Sequence, residues 1–94
     1  MIPDVVAAHV IQLARTRPTE TVLRLAQTIA AAEGQAWRQA RTAILDALPQ
    51  AALRADVAAL LDAWQAACPP GSQQALAWAL AAAAQGVAAE RSDQ

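Results

Sequence analysis

Alanine outnumbers all the larger apolar residues of this chain together: its 94 residues hold 28 alanines against 24 of valine, isoleucine, leucine, methionine and tryptophan. A methyl side chain is the best helix former and adds almost no bulk. Such a chain becomes compact by bringing helices close, not by filling wide gaps between them. Tyrosine and phenylalanine are absent, and threonine and valine are few, which leaves little from which to build strands. Full burial of a large aliphatic side chain contributes roughly 1.5–3 kcal/mol, and of an alanine much less. The core is therefore modest, and the length leaves room for one only. The sequence predicts an all-α fold, a compact bundle of about five short helices. They form a single domain over residues 1–90, with 91–94 a polar tail or the start of a linker.

Prolines and glycines divide the chain. Pro3 and Asp4 suit the first turn of a helix that runs to about Arg15, with Val6, Val10 and Leu13 as its apolar stripe, Ile2 before it and His9 on the flank. Pro18 opens a second helix, in which Glu20 precedes Arg24 by four residues, the favourable order for a helical ion pair. Val22, Leu25, Ala26 and Ile29 form its stripe, and Gly34 ends it at the position that follows the cap. A third helix spans about Gln35 to Leu48 and buries Trp37, Ala40, Ile44, Leu45 and Leu48. Pro49 stops it and takes the first position of a fourth. That fourth helix has the cleanest pattern, Leu53, Val57, Leu60, Leu61, Trp64 and Cys68, and is expected to lie at the centre of the bundle. Four of the five helices are expected to frame the core around Trp37 and Trp64. "CPPGS" is a loop, and Ser72 suits the N-cap of the last helix.

The last helix carries the stretch "LAWALAAAAQGVAAE", nearly pure alanine around Trp78. At about 100° per residue, Leu76, Leu80, Ala83 and Val87 fall within about 60° of one another and make the core stripe. Trp78 lies on the opposite side with Gln74, Ala81, Ala82, Gln85 and Ala89. A helix that is apolar or small nearly all round is buried on both sides or faces a partner. Three readings of Trp78 fit that pattern. It completes the core beneath the first helix or over the second, it stands exposed on an alanine face and anchors another protein surface, a role in which tryptophan is enriched, or it is an ordinary exposed residue.

Signatures of chemistry are missing. His9 is the only histidine and Cys68 the only cysteine. Neither has a companion at ligand spacing, so no metal or cofactor is expected, and Cys68 reads as a small buried hydrophobe. The acids form no obvious general acid–base pair. The glycines, Gly34, Gly71 and Gly86, make no phosphate loop. All seven basic residues are arginine and the net charge is −1, which argues against nucleic acid as the partner of this segment. Charge is uneven, a balance of +2 over residues 1–41 and −3 over 42–94, a layout that steers a partner or is ordinary surface scatter. Arg38 and Arg41 share a helix face and, extended by Arg24, make a weak candidate patch, which leaves weak binding of nucleic acid or another anionic ligand as a third functional option. The apolar run from Ala75 to Ala84 is shorter than the ~20 residues of a membrane span, and the start has no basic signal-peptide region. A cytoplasmic location is the expectation.

In helical texture the chain resembles the N-terminal region of the phospholipase-D-like proteins of DISARM anti-phage defence systems in bacteria. The stretches that carry the likeness are "LRLAQTIAAAEG", "WRQARTAILDALP" and "LAWALAAAAQGVAAERSDQ". In such proteins an Ala/Leu/Arg-rich bundle precedes the α/β catalytic domain. The superfamily's signature, H-x-K-x4-D, is absent: Val10 and Ile11 follow His9, and the chain has no lysine. The resemblance therefore implies an accessory part with no catalytic residue of its own. The functional expectation is a non-catalytic interaction module for recruitment or assembly. It would dock through Trp78, Ala81, Ala82, Gln85 and Gln74, or through the arginine-bearing second and third helices. The alternative is a free-standing helical adaptor or homodimer using the same alanine face.

Overall fold

The computed structural model describes residues 3–67 and 73–92. They form α1 (Asp4–Thr16), α2 (Thr19–Ala31), α3 (Trp37–Asp46), α4 (Ala51–Ala67) and α5 (Gln73–Ser92), with no strand among them. The all-α bundle read from the alanine content is the observed fold. Cys68, the "CPPGS" loop, the Ser72 cap and Ile2 lie outside the described residues.

The prolines stand just outside the helices, so α2 and α4 start one and two positions later than expected. Pro3 and Pro18 are N-cap residues with extended backbone (ψ 150° and 143°), and their carbonyls accept the first helical bonds, from Ala7 and Val22. The ring fixes φ at a value that this conformation shares with the helix. Pro49 likewise stands outside α4, whose first bond runs from Arg54 N–H to the Gln50 carbonyl. A residue before proline is pushed from helical backbone, so α3 ends at Asp46, short of Leu48. Its start is also late, because Gly34 adopts a left-handed φ of 89° and Ala36 is the extended N-cap. Gly34 sits one residue beyond the expected position: Ala32 caps α2, and Glu33 and Gln35 donate to the carbonyls of Ala30 and Ala32.

The stripes of α1, α2 and α4 are buried as their spacing predicts: Val6, Val10 and Leu13; Val22, Leu25, Ala26 and Ile29; Leu53, Val57, Leu60, Leu61 and Trp64. Around them the centre of the core is aliphatic, and its largest fully buried side chains include Ile29, Ile44, Leu60, Leu61, Leu76 and Leu80. Trp64 is buried, but Trp37 begins α3 and only packs against the edge of the core with Leu45 and Leu48. The core is thus not built around the two tryptophans.

α4 is not central either. Its backbone comes close only to α1 and α3, whereas α2 and α5 share the most extensive close approach and α1 touches α2, α4 and α5. Interhelical distance follows the side chains at the contact. α4 meets its neighbours through leucines and Trp64, while α2 and α5 meet through Ala26, Ala30, Ala77 and Ala81, which border one groove. The molecule measures 42 × 30 × 19 Å, and the short axis holds two helix diameters at ~10 Å each.

α5 runs through Ser92, beyond Glu90. Its inner face is Gln73, Leu76, Ala77, Leu80 and Ala84, while Ala83 and Val87 are half-buried. The helix is therefore rotated from the orientation expected of its stripe, and its alanines, not Val87, face the core.

Candidate interaction surface

Of the three tryptophans, Trp78 alone stands out in solvent, 69 % exposed. The placement of Trp78 in the core, beneath α1 or over α2, is therefore not adopted. The rotation of α5 explains why. With Ala77 and Ala84 turned inward, Trp78 projects to the side on which α2 borders α5, at the rim of a groove lined by Leu23, Gln27, Ala30, Ala81 and Gln85. Gln74, Ala82 and Gln85 are exposed beside it, and Ala81 is half-buried against the core. The five expected interaction residues thus lie along one edge of α5, with Ala81 forming the floor. From Gln73 to Ala89 the helix carries no charged side chain. An indole this exposed on a neutral alanine surface leaves apolar area in water that a protein partner would cover.

The candidate anionic patch does not assemble. Arg24 donates to Glu20 within α2 at 3.1 Å, the pair that sequence spacing anticipates. Arg41 reaches across to Asp62 of α4, Nε to Oδ1 3.1 Å. Arg38 lines an open hollow on the outer face of α3 with Gln39, Thr42, Ala43 and Asp46. Arg24 and Arg41 are each engaged by a carboxylate, and neither borders the hollow of Arg38. Besides Arg41–Asp62, two further ties that sequence reasoning missed fasten the bundle: Arg17 to Asp56, and Arg91 to the Arg15 carbonyl at the C-terminal end of α1. Partners 39 and 76 residues apart leave no local spacing signal.

His9 is half-buried beside Gln12, Leu13, Asp56 and Ala59, at a cleft of about 120 Å³ between α1 and α4. Ligand pockets are usually ~300–1,000 Å³, so this one is small for an organic substrate. Among the described residues no three of histidine, cysteine, aspartate and glutamate gather as metal ligands. No described helix is long and apolar enough to cross a membrane. Comparison with protein families, with curated proteins and with solved structures finds no match to the chain. Nothing in those comparisons bears on the likeness to the phospholipase-D-like defence proteins.

Proposed function

We propose that the chain is a non-catalytic helical interaction module that docks through the outer edge of α5 and the adjoining rim of α2, with Trp78 as its anchor. The observation that carries this reading is the exposure of Trp78 on a face without charge. Buried tryptophans stabilise folds; one left outside stabilises the fold little, and tryptophan is prominent among residues that dominate binding energy. Alanines around it let a facing helix come close, and the amides of Gln27, Gln74 and Gln85 offer both donors and acceptors at the rim. The resemblance to defence-protein N-terminal regions supplies one setting for such a module, ahead of a catalytic domain. The reading does not rest on it.

The test is site-specific photo-crosslinking in the cells that make the protein. A photoreactive residue replaces Ala82 on the proposed face or Ala8 on the exposed side of α1. Discrete adducts from position 82 that vanish with Trp78→Ala, and none from position 8, are the expected result. Absence of any adduct from position 82, or adducts indifferent to Trp78→Ala, would overturn the reading.

A further inference from the structure

The outer edge of α5 has a second regularity. Ala75, Trp78, Ala82, Gln85, Ala89 and Ser92 are all exposed and follow one another at spacings of 3, 4, 3, 4 and 3. A seam of this spacing is the geometry in which paired helices meet, and here alanine occupies each of one set of positions and Trp, Gln and Ser the other. Among the described residues nothing covers it.

Resting on the interaction reading above, we propose that the occupant of this seam is a second copy of the chain, the two α5 helices lying antiparallel about a two-fold axis between Ala82 and Gln85. The size pattern favours this arrangement. An antiparallel two-fold there sets Trp78 against the second copy's Ala89, Gln85 against its Ala82 and Ser92 against its Ala75, so that each larger side chain meets an alanine. A parallel pair would set indole on indole and alanine on alanine, leaving a bulge at Trp78 and gaps at three alanine layers. Charge agrees. A two-fold interface is self-complementary, and like charges near its axis repel. The seam has none, and Gln85 can both donate and accept across the axis.

Gly86 supplies an independent indication. It lies inside α5, where glycine costs roughly 0.5–1 kcal/mol relative to alanine. Yet a Cβ built there meets nothing within 4 Å and its φ is not left-handed. The fold of one copy does not require it. It sits beside the seam next to Gln85, close to the proposed axis, where a missing side chain lets the second backbone approach.

Sedimentation of the purified chain from about 10 µM to 1 mM tests the proposal, with disulfide trapping in a Cys68→Ser background. A monomer–dimer equilibrium is expected. Trp78→Ala should weaken it at least about tenfold, as loss of a central aromatic anchor does, with the helical circular dichroism unchanged. Gly86→Leu should weaken it too. Ala82→Cys should form a disulfide-linked dimer, since the two positions are offset by only ~4.5 Å along antiparallel helices. Ala75→Cys should not, because its counterpart lies ~25 Å away. Ready crosslinking of Ala75→Cys, or dimerisation indifferent to Trp78→Ala, overturns the arrangement. A chain monomeric at 1 mM that still gives Trp78-dependent adducts from position 82 overturns the second copy as partner and leaves the interaction reading standing.

Discussion

Arg17 and Asp56 meet at 2.6 Å across 39 residues of sequence, fastening the corner between α1 and α2 to the middle of α4. The two ends of this pair differ. The arginine side chain is 21 % exposed and the aspartate 50 %, and the arginine Nε is buried without a hydrogen-bond partner among the described residues.

That asymmetry predicts unequal costs. Asp56→Ala leaves the more buried charge without its partner and is expected to lose about 1–2 kcal/mol. Arg17→Met keeps the apolar stem and leaves only a half-exposed carboxylate, so its loss should be smaller, within about 1 kcal/mol. Urea unfolding of the two variants checks the order; equal losses would mean that the pair is held no more tightly than an ordinary surface contact.

Gly34 and Gly86 should respond to alanine with opposite signs. At Gly34 the φ of 89° is a conformation that L-residues avoid, and Gly34→Ala is expected to destabilise by about 1 kcal/mol despite open space around it. Gly86→Ala, in regular helix with the same open space, should stabilise by about 0.5–1 kcal/mol. Thermal unfolding in the Trp78→Ala background separates these effects from association. A stabilising Gly34→Ala would show that the turn does not need its left-handed residue.

Where side-chain contrast was high, the sequence was legible. The stripes of α1, α2 and α4 mix large aliphatics with charged and amide residues, and periodicity alone located their buried faces. α5 offers little contrast, since alanine is tolerated on every side. Its rotation was settled by what α2 presents, Ala26 and Ala30, and so Ala77 and Ala84 went inward where Ala83 and Val87 were expected. The centrality assigned to α4 failed for a related reason. A clean stripe of large residues marks a well-buried face, but it does not encode how many helices pack around it. For the candidate surface, the pattern placed Trp78 on the side away from Leu76 and Leu80. Its exposure depended on where α1 and α2 end up, which no spacing within α5 encodes. The Arg17–Asp56 and Arg41–Asp62 pairs depend on tertiary placement in the same way.

If alanine is what lets α2 and α5 come together, enlarging an inward alanine should be about as harmful as emptying a leucine site. Leu80→Ala removes a fully buried side chain and is expected to cost about 2–5 kcal/mol. Ala84→Leu adds bulk at an equally buried position. Overpacking usually costs about 1–3 kcal/mol, and the upper end is expected here because Ala84 is fully buried. Ala8→Leu, on the exposed side of α1, is the control and should stay within about 0.5 kcal/mol. Urea titration of the three variants gives the comparison. An Ala84→Leu protein as stable as the parent would mean that α5 has room to move outward, and that the abundance of alanine reflects helix propensity and not close packing.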